Sequence, residues 1–549
     1  MKPSSVAFSC VLVLGYLHLA GCAREPVAAP DLLLLGGKVF TADEVRPWAE
    51  ALAIRGERIV AVGTTEEVDA LGGPRTRRIR LAGRTVIPGI NDAHRHFEPQ
   101  PSPGRTLALP GLEPSWEETS AALAKAVTEI PEGAAIHGVV GVQVTTNADV
   151  DRARLDAVAH RHPVLLSAFY GHGLIANSMA LTALGVEEEQ PDPMGGFFER
   201  QPGSRRVNGR IFEYAHWSLT RRAAASVPDE ELLEQLRAES AELLRLGITS
   251  IQDMPIVPLG RYVALAAAAH SPLRVRGIRL PMTGVEGRNR SEDRDVSPPE
   301  SARGSMTVSG VKWILDGTPL ERGAVLAAPY SDRPGWSGRL NFEPQEIAAM
   351  VRESVELDEP LLLHAVGDRT LALVFDAMEG LEGVDWPKRR LRIEHGDGLV
   401  GGLVERARRL GVVVTQNPTH FGLTEFVGAR LGPERGFFPM KSLLAAGIPV
   451  ALGSDGSPNP WLDVMLAVLH PANPAEALSV EQAVAAYTRG SAYAEWQETD
   501  KGTLAEGMLA DLAVLSQDVF TVPVGTIAAT ESVLTVIGGR IVHDAGALK

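Results

Sequence analysis

The sequence predicts an α/β protein: a (β/α)8 barrel of the TIM type beside a small β-sandwich built from both ends of the chain. Short apolar segments alternate with helical segments through the centre of the chain. Strand-like segments separated by glycine-containing turns occur near both termini. Short apolar strands between helices are typical of a parallel sheet that is buried on both faces.

The central region supplies eight short apolar segments as barrel strands. A leucine stripe over 229–246, with Pro228 before it and Gly247 after it, predicts a helix that leads into one of these strands. No glycine-rich dinucleotide-binding pattern follows any segment, which favours a closed barrel over an open doubly wound sheet. The predicted strands are 85–87, 248–252, 273–278, 311–315, 361–363, 391–393, 412–415 and 450–452.

Both ends of the chain contain β-structure that one domain can share. The Gly538-Gly539 pair predicts a tight hairpin, because glycine readily adopts positive φ values. Two unrelated β appendages are the alternative. Further strand candidates at 136–142 and 164–169 exceed the eight of a barrel and indicate an insertion. The expected organisation is a signal segment at 1–21, a tether at 22–30, sandwich parts at 31–84 and 505–549, and a barrel at 85–504 with an inserted subdomain near 100–227.

The first residues indicate export. The apolar run from Val6 to Ala20 is too short and interrupted to span a membrane, and Leu-Ala-Gly-Cys closes it at Cys22. This ending resembles the bacterial lipoprotein signal, in which the cysteine is acylated and becomes the first mature residue. An ordinary signal peptide that contains a cysteine is the alternative. By resemblance to the sorting rule of enteric bacteria, the lack of Asp after Cys22 favours the outer membrane, facing the periplasm.

The composition and net charge of the chain limit the classes of partner that it can bind. Cys10 leaves with the signal and Cys22 would carry lipid, so a large hydrophobic core must stabilise the mature chain without disulfides. The formal net charge of −15 argues against nucleic acid and against adsorption to anionic lipid. We therefore expect no nucleic-acid partner, and a lipid anchor as the attachment to the membrane.

A histidine pair follows the first predicted strand. Residues two apart in an extended chain share a face, so His94 and His96 can bind one metal ion together. Such a pair alone is more often a surface accident than a metal site. In barrels, however, catalytic groups lie at the C-terminal ends of the strands. Four further candidates lie within or just after other predicted strands: Lys312, His364, His395 and Asp455.

Eight motifs, in order and suitably spaced, make the chain resemble the amidohydrolase superfamily. Within it, the chain is most similar to the YtcJ-like branch, which includes N-substituted formamide deformylases. The resemblance runs over nearly the whole mature chain and implies a metal-binding barrel beside a β-sandwich formed by both termini. The motifs are IPGINDAHRHF from Ile87, GHGLIANSMAL from Gly171, GITSIQDM from Gly247, GVKWILDG from Gly310, LLLHAVGDRTL from Leu361, LRIEHGD from Leu391, TQNPTHF from Thr415 and ALGSDGSP from Ala451.

The resemblance also implies a role for each candidate ligand. Imidazole, carboxylate and carbamate ligands suit two zinc ions, with iron or manganese as alternatives. A neutral lysine amine can add CO₂ and become an anionic ligand. The resemblance makes His94 and His96 ligands of a first metal ion, His364 and His395 ligands of a second, Lys312 an N-carboxylated bridge, and Asp455 both a ligand and the base that takes a proton from the attacking water.

Other positions match polar residues of the family. The resemblance implies that His172, Asn177 and His420 face the substrate, and Asp92 is expected to orient one of the two histidines of the pair. It also implies a small-molecule substrate. The sequence does not determine the oligomeric state; because the family often dimerises, a homodimer is one of the states left open.

The reaction implied by the resemblance is hydrolysis of a carbon–nitrogen bond in a non-peptide amide. A dipeptidase, a D-aminoacylase or a lactonase or other esterase on the same site is the first alternative. A catalytically dead, lipid-anchored binding protein is the second, and the complete ligand set argues against it.

Overall fold

The structure is a computed structural model that describes Met1, residues 28–99 and residues 104–548. The predicted signal segment and the lipidation site Cys22 lie outside the described residues. Ala28 and Pro30, from the end of the predicted tether, lie against the sandwich: their carbonyls accept hydrogen bonds from Arg55 Nη1 at 2.8 Å and Thr76 Oγ1 at 2.6 Å. Within the described residues, no helix is both long and apolar enough to cross a membrane.

A sheet of eight parallel strands forms the centre of the protein, which confirms the predicted barrel. The first and last strands meet where the backbone N–H of Asp455 donates to the carbonyl of His94 at 2.9 Å. Gly453 permits this approach, since a Cβ there would lie 2.4 Å from the His94 backbone nitrogen. In chain order, the strands β1 to β8 are Ile90–Arg95, Ile248–Asp253, Arg274–Arg279, Met306–Ile314, Leu361–Ala365, Arg392–His395, Val413–Gln416 and Val450–Leu452.

The prediction that 85–87 forms the first barrel strand is wrong. Thr85–Pro88 belongs to the sandwich, where it pairs parallel with Lys38–Phe40 and antiparallel with Leu512–Leu515. The barrel begins at Ile90, after Gly89. A Cβ at Gly89 would lie 2.1 Å from Thr249 Oγ1, so the chain passes between the two domains at a position that only glycine fits. The apolar run therefore supplies strands to two different sheets.

Two sheets form the β-sandwich, and one of them combines both ends of the chain, as predicted. Leu34, Leu52, Val86 and Leu512 are buried in a core that these sheets share. Each such side chain contributes about 1.5–3 kcal/mol by leaving water. The four-stranded sheet contains Leu32–Leu35, Ala51–Arg55, Arg58–Gly63 and Arg77–Arg80; the six-stranded sheet contains Lys38–Phe40, Trp48–Ala49, Thr85–Pro88, Leu512–Leu515, Ser532–Ile537 and Arg540–Asp544.

A subdomain is inserted between β1 and the helix that leads into β2. The extra strand candidates at 136–142 and 164–169 lie in its sheet. It contacts the barrel where the Ile314 backbone N–H donates to the hydroxyl of Tyr214 at 3.0 Å. Its strands are Gly104–Thr106, Ala135–Val140, Val164–Ala168, Gly173–Ala176, Gly196–Arg200 and Val207–Glu213, and its helices are Trp116–Glu129, Val142–Thr145, Arg152–Ala159, Ser178–Ala183 and Tyr214–Ala225.

Helices cover the outside of the barrel. Asp229–Arg245 begins after Pro228 and buries its leucine stripe, as predicted. Three acidic residues in its first turn interact favourably with the positive end of the helix dipole. The other main helices of the barrel are Leu259–Ala268, Pro344–Glu356, Asp368–Glu379, Gly402–Leu410, Thr424–Leu431, Lys441–Ala445, Pro460–Leu469 and Val480–Ala485.

Candidate metal centre

Three predicted ligands meet at one point at the C-terminal end of the barrel. His94 Nε2 and His96 Nε2, at the end of β1, lie 3.3 Å apart. Lys312 Nζ, inside β4, lies 2.8 Å from the first nitrogen and 3.2 Å from the second. Strands β1 and β4 are not neighbours in the sheet, so closure of the barrel brings these side chains together.

The opposite nitrogen of each ring in the pair is held in place. His94 Nδ1 donates to Glu394 Oε2 at 2.6 Å, and His96 Nδ1 donates to the carbonyl of Met254 at 2.7 Å. Burial, together with the charge of Lys312, lowers the pKa of His94 well below its ordinary value and that of His96 to about 4. The rings are therefore neutral, and each presents an Nε2 lone pair to the centre.

Lys312 is buried at this centre. Burial lowers the pKa of its amine from the ordinary 10.5 to about 8, against the opposing influence of Asp455 and Glu394. The neutral amine is the form that reacts with CO₂, and the lowered pKa makes this form more abundant near neutral pH than it is in an exposed lysine.

A second group of imidazoles lies beside the first. The rings of His364 on β5 and His395 on β6 have centroids 4.5 Å apart, and the His395 ring is 5.0 Å from that of His94. Burial, with the charges of neighbouring cationic groups, lowers the pKa of both residues well below the ordinary value. His364 Nε2 and His395 Nδ1 are buried without a hydrogen-bond partner among the described residues.

Asp455 faces both groups. Its Oδ1 lies 3.6 Å from His94 Nε2 and 3.7 Å from His96 Nε2, while its Oδ2 lies 3.9 Å from His395 Nε2 and 3.5 Å from His420 Nε2. Burial opposes ionisation, but the surrounding histidines and Lys312 hold the pKa of this carboxyl well below its usual range. Asp455 is therefore an anion that borders two imidazole clusters.

These separations fit divalent cations. Ligand bonds of about 2.0–2.2 Å in tetrahedral geometry place ligand atoms roughly 3.4 Å apart. The nitrogens of His94 and His96 and the nearer oxygen of Asp455 are separated by 3.3 to 3.7 Å. A second set of atoms that could coordinate one ion comes from His395, His420 and Asp455. This second set includes His420, which was predicted to face the substrate. It does not include His364, which was predicted to be a ligand of the second ion.

His172 comes from the inserted subdomain and lies next to the second group. Its ring centroid is 4.9 Å from that of His364, and its Nδ1 lies 3.1 Å from each carboxylate oxygen of Glu213. Burial opposes the charge, but Glu213 raises the pKa of His172 to about 9. Glu213 has a φ of 54°, a conformation that strains a non-glycine residue and is most common at functional sites. Glu321 completes this cluster.

Asn177 does not reach the centre, contrary to the prediction. Its side chain caps the helix Ser178–Ala183 by accepting from the Ala180 N–H at 2.9 Å, and it also accepts from the Val164 N–H at 3.0 Å. Its amide donates to the carbonyls of Ala159 and His162 at 3.1 and 2.8 Å. All four bonds stay within the inserted subdomain, so we assign Asn177 a structural role.

Asp92 also differs from the prediction, because it contacts neither imidazole ring. Its carboxylate accepts from the backbone N–H and the hydroxyl of Ser454 at 2.9 and 2.6 Å and from the backbone N–H of His94 at 3.3 Å. It ties the loop that carries Asp455 to β1.

Sequence reasoning missed Glu394, Glu213 and Glu321. Glu394 directly follows the predicted strand 391–393 and immediately precedes the predicted ligand His395, so an acidic residue at that position could have been recognised from the sequence. Glu213 and Glu321 lie outside the recognised motifs, so the sequence carried no comparable signal for them.

Comparisons with known proteins agree with this fold. The sequence profile of the amidohydrolase family matches residues 78–543. The protein YtcJ of Bacillus subtilis is 29% identical over 538 residues, which cover 93% of this chain and 98% of YtcJ. The N-substituted formamide deformylase of Arthrobacter pascens is 26% identical over 558 residues, which cover 94% of this chain and 98% of the deformylase. The crystal structure of an uncharacterized metal-dependent hydrolase from Pyrococcus horikoshii has the same fold, with a TM-score of 0.69, 23% identity, and coverage of 90% of this chain and 99% of that one.

Proposed function

The chain belongs to the amidohydrolase family, and from that premise we propose that it hydrolyses a carbon–nitrogen bond of a non-peptide amide in a metal-dependent reaction. One observation carries the proposal. His94 Nε2, His96 Nε2 and Lys312 Nζ converge within 3.3 Å of one another beneath an ionised Asp455. Neutral imidazoles, a lysine of lowered pKa and a carboxylate are together a donor set for divalent cations.

Two zinc ions suit the donor atoms. His94 and His96 would hold the first ion, and His395 with His420 or His364 would hold the second. Lys312, once carboxylated, would supply an anionic oxygen to each ion, and Asp455 borders both positions. Bound divalent cations would lower the pKa of a ligated water and polarise the carbonyl of the substrate.

The residues of the chain would then move the proton. The Asp455 carboxylate accepts a proton from the attacking water as the water oxygen bonds to the carbonyl carbon. When the carbon–nitrogen bond breaks, the same carboxyl delivers that proton to the leaving nitrogen, so the products are a carboxylic acid and an amine. His172, held by Glu213 at the edge of the centre, is positioned to contact the substrate.

The similarity to an N-substituted formamide deformylase supports N-substituted formamides as the first substrates to test. The deciding experiment is a panel of N-alkyl and N-benzyl formamides, dipeptides, N-acyl-D-amino acids and lactones, assayed on protein of known metal content. Release of formate and amine that disappears with chelator and returns with zinc supports the proposal. Turnover confined to lactones or dipeptides would replace it with one of those activities.

We also propose that the protein works in the bacterial cell envelope, attached by lipid on Cys22. The Leu-Ala-Gly-Cys ending of the apolar N-terminal run and the following Pro/Ala tether support this location. Ala28 and Pro30 contact the sandwich, so the tether would join the sandwich to the membrane.

A further inference from the structure

A buried ion pair stands directly behind His94 inside the barrel. Arg392 and Glu394 are two residues apart on β6, so their side chains share the inner face of the strand. Glu394 is 0% exposed and Arg392 is 2% exposed. One carboxylate oxygen of Glu394 accepts from His94 Nδ1 at 2.6 Å, and the other accepts from Arg392 Nε.

Arg392 is itself fixed on two further sides. Its Nη1 donates to Gln252 Oε1 at 2.5 Å, and its Nη2 donates to the carbonyl of Ala93 at 2.8 Å. Gln252 is held in turn, because its amide donates to the carbonyl of Ser491 at 2.9 Å. The guanidinium thus holds both the carboxylate behind His94 and the backbone that precedes His94.

The two histidines of the pair are supported unequally. His96 Nδ1 donates to a neutral backbone carbonyl, whereas His94 Nδ1 donates to a buried carboxylate. Hydrogen bonds to an ionised acceptor are roughly twice as strong as neutral ones, and a carboxylate behind an imidazole makes its other nitrogen a better ligand. The carboxylate also fixes the tautomer in which the Nε2 lone pair points at the centre.

We propose that Glu394, held by Arg392, is the positioning residue that makes His94 the dominant histidine ligand of the first metal ion. This inference rests on the proposed function, since it concerns affinity for that metal. It predicts that the charge of a residue which does not touch the metal controls how tightly the metal binds.

The test is the zinc affinity of the Glu394→Gln variant, measured on metal-free protein by competition with a chromogenic chelator. The amide retains the shape and an acceptor oxygen but lacks the charge, so we expect affinity to fall about 10–100-fold. The Co²⁺-loaded variant should also have an altered visible spectrum, which a purely structural role of Glu394 would leave unchanged.

Glu495→Gln is the matched control. The side chain of Glu495 is 5% exposed and is bonded to Lys501 at 2.8 Å and to Asn91 at 2.6 Å, but it bonds to none of the candidate ligands. Loss of this charge should lower the melting temperature of the metal-free protein, while zinc affinity and the Co²⁺ spectrum stay as in wild type.

The outcomes separate this inference from the proposed function. Wild-type zinc affinity in Glu394→Gln, alongside a large loss in His96→Ala, would overturn the inference and leave the metal centre intact. Full zinc binding in both His94→Ala and His96→Ala would instead remove the metal centre. If Glu394→Gln fails to fold, Glu394→Asp keeps the charge but withdraws it from His94. Its affinity should fall as well, and an unchanged affinity would likewise overturn the inference.

Discussion

Replacement of Asp455 by asparagine tests the proposed chemistry most directly. The asparagine amide has the size of the carboxylate but cannot accept the proton of the attacking water. A positioned general base contributes about 10²–10⁴-fold in rate, so kcat should fall by that factor. At 1.36 kcal/mol for each tenfold change, the activation barrier should rise by about 3–5 kcal/mol.

The structure also predicts what the substitution should leave intact. Among the described residues no backbone N–H donates to the Asp455 carboxylate, which instead faces ring nitrogens at 3.5 to 3.9 Å. With no such bond to lose, the variant should keep the fold, but loss of the charge that Lys312 and the histidines stabilise should lower the melting temperature of the metal-free protein. Because the carboxylate borders both clusters, metal affinity is expected to weaken, and kcat must be compared at equal metal occupancy.

Asp511→Asn provides the contrast. Asp511 lies in the sandwich, pairs with Arg274 at 2.6 Å and accepts from the Gly538 N–H at 2.7 Å. That variant should melt at a lower temperature with unchanged kcat. Near-wild-type turnover of Asp455→Asn at equal metal occupancy would refute the assignment of Asp455 as the base.

Four further outcomes are expected. Lys312→Ala and Lys312→Arg should both lose metal and turnover, because neither side chain can be carboxylated; metal analysis and mass spectrometry of the intact site test this. The pKa of Lys312 is about 8 in the folded protein and ordinarily 10.5, so the unfolded chain binds one more proton between these two pH values. The free energy of unfolding of the metal-free wild type should therefore rise by about 3 kcal/mol from pH 8 to pH 10.5. Denaturant titrations of Lys312→Met should lack this gain. Cys22→Ser should move the protein from the membrane to the soluble fraction on cell fractionation, while equal membrane retention would contradict lipid attachment. Asn177→Ala should lower stability by more than the about 1 kcal/mol of a lost helix cap, because four buried partners each lose a hydrogen bond, and should leave kcat/KM unchanged.

The barrel could be predicted because short segments rich in apolar residues recur along the centre of the chain and helical segments separate them. The predicted strands also indicated where the candidate metal centre lies, because side chains at the C-terminal ends of parallel strands converge. Lys312 illustrates the strength of this rule. Its position in the chain gives no hint of His94, 218 residues away, yet their nitrogens lie 2.8 Å apart.

Asn177 shows where motif matching fails. The family motif identified a polar residue but not the direction of its side chain. The local sequence carried a different signal, because asparagine before an apolar helical segment is a preferred N-cap. The structure follows that local rule, and the side chain is consumed by four hydrogen bonds within the subdomain.

The contacts that the side chains of strand β6 make depend on closure of the barrel, and the sequence of the strand does not predict all of them. Arg392 and Glu394 lie two apart on a buried barrel strand, and buried opposite charges must be paired, so these two residues predict an ion pair by themselves. Alternation would then turn His395 to the other face, away from Glu394. Yet Glu394 bonds to the His94 ring, and the His395 ring lies 5.0 Å from that same ring. His395 has a φ of 67°, which breaks the alternation at the end of the strand. A non-glycine residue held in that region costs about 1–3 kcal/mol and persists only where its surroundings enforce it. The strain therefore accompanies an arrangement in which consecutive residues reach the same candidate metal centre, with Glu394 bonded to the His94 ring and His395 beside that ring.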